Sequence, residues 1–395
     1  MAGTADLFRI RGLSTQFVTE EGQINAVNDI SLTIGQGEIV SIVGESGSGK
    51  SVTGRSLMDL IEPPGTIVAG EIWYRSSELA ATVDDETAVD GEYVDLRALP
   101  PAVRQSLRGT AFSIIFQDPG SSFNSSLTVG RQIAEAVEAN RRIKAGQSYG
   151  TLDLLRDIVT PNRSFVSEES YDRAVELLER VDIPDPANRA EEYPHQFSGG
   201  MLQRAMIAQA LAADPTFLVA DEPTTGLDVT IQSGIMGLLE ELQRDLDMSI
   251  LLITHNLGVV SRLADRTAVM YAGELFEVGP TEKVLNEPAN PYTKGLLNSL
   301  PDVTNPSAQI EPITGNVPSL LDHEMPVGCS FADRCPAATD DCRSAPPPVR
   351  PVNGDATHRV ACVHAGSDGG EHLTEPVGSG PTVTDIEVPT GVSNE

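Results

Sequence analysis

The stretch Gly44-Glu45-Ser46-Gly47-Ser48-Gly49-Lys50-Ser51 decides how this chain is read. It fits the pattern GxxxxGK[ST] and stands in the surroundings that pattern needs. The apolar, strand-like run Gly37 to Val43 (GEIVSIV) leads into it, and a helix is expected to begin near Lys50. Glycines let successive backbone N–H groups turn inward around phosphate oxygens. The start of the helix adds a partial positive charge, and Lys50 reaches the β and γ phosphates. The Ser51 hydroxyl is placed to ligate Mg²⁺. A loose motif can be a bare turn; the strand before it and the helix after it argue for a nucleotide site.

A second piece lies downstream. Phe217-Leu218-Val219-Ala220 reads as a buried strand that delivers two adjacent carboxylates, Asp221 and Glu222, at its end. Asp221 would hold Mg²⁺ through water, and Glu222 is placed to polarise an attacking water. Around these pieces strands and helices alternate. Residues 7–18 and 27–34 read as strands, and residues 131–144, 171–181, 201–213 and 231–246 as helices. Ser249 to Thr254 is a further apolar strand, so a parallel α/β layer is expected. Two stretches interrupt the pattern, an acidic one at 76–97 and a variable one at 145–170; both are expected to be solvated insertions.

Composition bounds the function. The 395 residues carry 27 basic and 57 acidic side chains, a net charge of -30. Such a chain repels nucleic-acid phosphates, which excludes wrapping DNA or RNA as its main task. Only four of the basic residues are lysines (Lys50, Lys144, Lys283 and Lys294), and an acid excess poor in lysine reads as adaptation to a salt-rich cytoplasm. No apolar run approaches the roughly 20 residues of a membrane helix, and the N-terminus lacks the apolar core of a signal peptide. A cytoplasmic location is therefore expected. Residues 366–395 have no aromatic, lysine or arginine and read as a disordered tail.

At Phe197-Ser198-Gly199-Gly200-Met201-Leu202-Gln203-Arg204 the sequence resembles the signature of the ATP-binding-cassette (ABC) family, usually LSGGQ. Ser198 and two glycines open a helix and leave free N–H groups facing outward. The resemblance implies that Ser198, Gly199 and Gly200 bind the γ-phosphate held by an opposite subunit. Gln117, in Ile115-Phe116-Gln117-Asp118-Pro119, resembles the Q-loop glutamine, a Mg²⁺ ligand and link to membrane subunits. Thr225-Gly226-Leu227-Asp228 resembles the D-loop; it departs from the common SALD but keeps Asp228. His255 resembles the switch histidine that contacts γ-phosphate, and Phe17 the aromatic that stacks on adenine. Tyr193 to Phe197, Asp221 to Asp228 with Val229 to Gln232, and Asn290 to Thr293 resemble the dipeptide/oligopeptide importer branch.

The implied fold is α/β: an ABC-type P-loop ATPase with a RecA-like core and a helical signature subdomain, plus a small C-terminal oligopeptide-importer domain. The expected division is 1–285 for the ATPase domain, with the helical subdomain at about 110–215, then 286–365 and the tail. The resemblance implies an ATPase coupled to solute import on the cytoplasmic face of the membrane. Its partners would be two permeases, a second, related ATP-binding subunit and, indirectly, an extracellular solute-binding protein. The rival class is a soluble ABC ATPase in translation or DNA repair. Such proteins commonly carry two cassettes or coiled-coil arms, and this chain has one phosphate loop and no long heptad run.

The cysteines form the last motif. Residues 1–328 contain none; Cys329, Cys335, Cys342 and Cys362 then follow in a short, proline-rich span. Clustering in a cytosolic chain reads first as metal binding. The segment resembles an importer C-terminal domain of which some members bind a [4Fe–4S] cluster. Four thiolates suit such a cluster or a tetrahedral zinc ion, and a metal-free module is the third possibility. His358 and His364 are expected to pack or face solvent rather than ligate.

Overall fold

The computed structural model describes residues 5–146, 166–299 and 313–365. The chain divides into two compact units. One runs up to Leu99 and resumes at Leu251; the other spans Pro100–Ile250.

The first unit opens with a long antiparallel pair, β1 (Asp6–Thr19) and β2 (Gly22–Gly35), turned at Glu20 and Glu21. Then comes β3 (Ile39–Val43), whose five residues are all buried, as a strand covered on both faces must be. It leads into the phosphate loop and α1 (Lys50–Leu57). β4 (Gly65–Arg75) pairs antiparallel with β1. The stretch 76–97 differs from the solvated loop its acidity suggests. It forms β5 (Val89–Asp90) and β6 (Tyr93–Asp95), and β6 pairs with β4 to give a sheet ordered β2-β1-β4-β6-β5. Its acidic residues other than half-buried Asp95 are exposed, while Ala88, Val94 and Leu96, at most 5% exposed, supply the apolar side that holds the hairpin down.

The second unit holds β7 (Phe112–Ile115), α2 (Val129–Lys144), α3 (Glu168–Arg180) and α4 (Gly199–Leu211). β8 (Phe217–Asp221) runs parallel to β7, with Phe112 and Phe217 edge to face across the pair. α5 (Val229–Leu246) follows, and the chain leaves the unit along β9 (Ser249–Ile253). Local chemistry sets the helix ends. Ser167 caps α3 by accepting the Ser170 N–H, ahead of Glu168 and Glu169 in its first turn; α2 ends on Arg141, Arg142 and Lys144. Of the stretch 145–170, residues 147–165 lie outside the described residues, as does the tail 366–395.

Back in the first unit, α6 (Leu257–Leu263) precedes β10 (Arg266–Tyr271) and β11 (Glu274–Pro280). β10 lies parallel to β3 and antiparallel to β11. After α7 (Thr281–Asn286), α8 (Pro291–Asn298) and α9 (Asp340–Ser344), the last strands among the described residues are β12 (Val349–Val352) and β13 (Asp355–Ala361). β13 pairs with β11 and β12, so the cysteine segment continues the sheet that carries the phosphate loop. An aromatic cluster of Tyr271, Phe276, Tyr292 and Phe331 fills the junction, with neighbouring ring centroids 4.6–5.9 Å apart. His358 is 2% exposed and shares a 2.7 Å hydrogen bond with buried Glu277, a packing role.

Candidate nucleotide site

In the first unit, residues 44–51 wrap the C-terminal end of β3. Gly49 caps α1 at φ 102, a left-handed conformation that favours glycine. A Cβ there would also lie 2.2 Å from the Ala26 carbonyl oxygen, so no larger residue fits. Lys50 is 5% exposed, and its Nζ donates to the carbonyls of Gly44 (2.9 Å) and Glu45 (2.8 Å). The Ser48 hydroxyl is buried and meets no hydrogen-bond partner among the described residues. An orphaned buried hydroxyl in a glycine-rich turn is what a loop built for an anionic ligand leaves behind. The turn after β10 braces the loop from outside, where the Gly273 N–H donates to the Ser48 carbonyl at 2.9 Å.

Phe17 is half-buried on β1, paired with Gly65 of β4, and its ring covers that glycine. His255 follows β9 and is exposed. Buried Thr254 precedes it, anchored by its N–H to the Ile42 carbonyl, and Asn256 caps α6 just after it.

In the second unit, β8 ends in Asp221, 1% exposed, and Glu222 turns away at φ 48. A non-glycine residue in that region costs about 1–2 kcal/mol; the turn aims its carboxylate off the strand end. Gln117 Nε2 donates to Glu222 Oε2 at 3.1 Å, and Thr225 Oγ1 to the same oxygen at 2.8 Å. Two sequence-predicted residues thus meet, and Thr225, expected only as a letter of the D-loop motif, joins them through its hydroxyl.

The signature opens α4. Ser198 accepts the Met201 N–H at 3.3 Å. A Cβ on buried Gly200 would stand 2.7 Å from the Ile231 side chain, so α4 and α5 close on each other at that glycine. Asp228 caps α5 by accepting the Ile231 N–H at 3.0 Å. Gln232 Nε2 donates to the carbonyls of Thr224 and Leu227, both at 3.1 Å, and so shapes the D-loop.

The four cysteines converge. Cys329, Cys335, Cys342 and Cys362 line one small pocket, together with Phe331, Pro347 and His364 among others. None is in a disulfide. Burial pushes the Cys329 thiol up to about 12 and raises Cys335 and Cys362. Among the described residues no three His, Cys, Asp or Glu side chains close around a single-ion point.

A phosphate loop at the end of one buried strand and paired carboxylates at the end of another define a P-loop nucleotide hydrolase. The chain belongs to the ABC transporter family, which it matches over residues 27–225. Residues 276–342 match the oligopeptide/dipeptide transporter C-terminal region. A "Putative peptide import ATP-binding protein" of Brucella abortus (strain 2308) is 42% identical over 351 residues, 87% of this chain and 93% of that one. A Brucella melitensis protein of the same description is 41% identical over 356 residues, 90% of this chain and 95% of that one. Among solved structures, the dimeric ABC transporter cassette MJ0796 superposes with a TM-score of 0.52 at 24% identity, over 69% of this chain and 98% of that one. Its post-hydrolysis dimer, bound to ADP and Pi, gives 0.52 at 25% identity over the same shares. The fold is the ABC ATPase cassette with a C-terminal oligopeptide-transporter region, and the protein is an ATPase.

Proposed function

We propose that this chain is a nucleotide-binding subunit that powers import of peptides by an ABC transporter. The observation that carries the reading is the oligopeptide/dipeptide C-terminal region at 276–342 on the same chain as the cassette. Residues 44–51 bind the triphosphate, Phe17 stacks on the base, and Ser51, Gln117 and Asp221 serve Mg²⁺, which neutralises charge on the phosphates. Glu222 takes the proton of the attacking water, and His255 senses the γ-phosphate. Ser198, Gly199, Gly200 and Asp228 serve the ATP of a partner subunit. That partner is a related, non-identical ATPase, and both dock on two permeases at the cytoplasmic face of the membrane, supplied from outside by a solute-binding protein. Among the described residues no helix is long and apolar enough to cross a membrane, which suits peripheral attachment. On this reading residues 1–285 are the ATPase domain, with a helical subdomain at about 110–215, and 286–365 the importer-specific domain.

The pocket of four cysteines is the place for a [4Fe–4S] cluster. The four cysteines line one cavity, and four thiolates would supply one ligand to each iron of such a cluster. We also propose that the acid excess is an adaptation to salt.

Affinity purification of the full chain from its native membrane tests the transport reading. Two permeases and a second cassette should come with it, and a peptide mixture presented with the binding protein should raise ATP turnover. Recovery with ribosomes or DNA, and no permease, would overturn it.

A further inference from the structure

The cysteine segment reaches into the phosphate loop, and the contact falls on Glu45. Arg334 Nη1 donates to Glu45 Oε2 at 2.6 Å and Nη2 to Oε1 at 2.9 Å. The Glu45 N–H donates to the Tyr292 hydroxyl at 3.0 Å, and its carbonyl accepts from Lys50 Nζ at 2.8 Å. Side chain and amide of one loop residue are therefore fixed by the chain beyond β11, while its carbonyl holds the phosphate-binding lysine.

Arg334 is itself firmly seated. Its side chain is 6% exposed, Nη1 also donates to the Tyr271 hydroxyl at 3.1 Å, and Nε donates to the Thr314 carbonyl at 3.1 Å. The guanidinium lies 5.7 Å from the Tyr271 ring centre and 5.9 Å from that of Phe331. A buried two-pronged fork defines orientation as well as distance, which a lysine in its place would not. Arg334 precedes Cys335 in a tight turn, with its own N–H on the Phe331 carbonyl and the Cys329 N–H on the Cys342 carbonyl. How the cysteine pocket is folded thus sets where the fork points.

We propose that Arg334 is a positioning residue for nucleotide binding, which presets the phosphate loop through Glu45 and ties the loop's affinity for ATP to the fold of the cysteine segment. The proposal rests on residues 44–51 being the ATP site. A loop ordered before the ligand arrives does not have to be ordered by it, and the saving appears as affinity. By linkage, the effect must also run backwards: bound nucleotide stiffens the cysteine turn.

The test is titration of the full chain, purified anaerobically, with a fluorescent ATP analogue. Arg334→Gln removes the charge and the fork and should weaken binding about tenfold, or 1.4 kcal/mol. Glu45→Gln should weaken it similarly. The double variant should be no worse than the worse single, because both break one link. Nucleotide should slow hydrogen exchange at the Cys329, Ala332 and Arg334 amides in the wild type and not in Glu45→Gln. Unchanged affinity in the single variants, additive losses in the double, or exchange that nucleotide does not slow would each overturn the proposal. If Arg334→Gln does not fold, Glu45→Gln decides alone, since it changes no residue of the cysteine segment. Lys50→Ala separates the two levels: should it bind the analogue as tightly as wild type, the site reading fails; should it lose binding while Glu45→Gln keeps it, only the coupling fails.

Discussion

Replacing Glu222 by glutamine removes one charge and moves almost no atoms. The amide keeps an oxygen that can accept from Gln117 Nε2 and Thr225 Oγ1, now 3.1 and 2.8 Å away. Gln inherits the left-handed backbone at φ 48 without adding to its cost. Folding stability should therefore change by no more than about 0.5 kcal/mol. What disappears is the acceptor for the proton of the attacking water. General-base catalysis contributes about 10²–10⁴ in rate, so the barrier should rise by about 2.7–5.5 kcal/mol. Binding should survive, because the residues around the phosphates at 44–51 are untouched; the variant should accumulate as an ATP-bound closed dimer. The assay is steady-state ATP turnover of the assembled transporter, with the partner subunit's site silenced, beside nucleotide titration and a thermal melt. Turnover within tenfold of wild type, with binding and melt unchanged, would refute the assignment of Glu222 as the base. A large drop in melting temperature would refute the argument that glutamine is neutral in this turn.

Three further outcomes are expected, the first from the structure and the other two from the proposed cluster and the charge balance. Glu138 has a side chain 3% exposed; burial raises its carboxyl, but hydrogen bonds from Ser170, Arg142, Ser167 and Arg141 outweigh it and hold the group at about 2, below its usual 4.5. A depressed carboxyl stabilises the fold above its unfolded value and loses that as pH falls towards 2, up to about 3 kcal/mol; urea melts of Glu138→Gln should fall less steeply than wild type over that window, and parallel curves would sink the argument. Anaerobically purified protein should be brown, with iron and acid-labile sulfide near about four each per chain, and Cys335→Ser should bleach it; colourless protein holding one zinc would rule out the cluster. With a net charge of -30, the melting temperature should climb steeply from low salt to molar KCl, and a flat profile would remove the adaptation argument.

Much of the site was legible because its signals are local. The expected strand Phe217–Ala220 is β8, one residue short of its observed end, and the expected helix 231–246 is α5, two residues late at its start. The phosphate loop needs nothing beyond eight consecutive residues to be recognised. The stretch 76–97 departs from the expected solvated insertion for a physical reason: its acidic side chains dominate its average, while the few apolar ones that pack (Ala88, Val94, Leu96) are spaced too sparsely to show a period. Arg334 and Glu45 are 289 positions apart, and no pattern in either segment announces the other. Thr225 and Gln232 were visible as letters of family motifs; their work, holding the Glu222 carboxylate and the D-loop carbonyls, depends on a turn that only the folded chain displays.

The strands themselves explain why the chemistry sits where it does. β3, β8 and β9 are buried along their whole length, so neither face of any of them can meet a solute. Polar function on such strands gathers at the last residue, as with Asp221 on β8, and at the first residues past the end, where the chain regains water. Each end is used: β3 runs into Gly44 and Glu45, β8 into Glu222, β9 through buried Thr254 into His255. β10 ends the same way, and the turn after it, Ala272 at φ 48 and Gly273 at φ 85, places the N–H that braces Ser48. A chain that must leave a buried strand and reverse within two residues is pressed into left-handed backbone, at a cost for any residue but glycine. Glu222 and Ala272 bear that cost, one to aim a carboxylate and the other to support the loop. Arg334 acts at a third such point, on the residue that follows Gly44. The cysteine segment therefore meets the cassette at the proposed phosphate loop, one residue past Gly44.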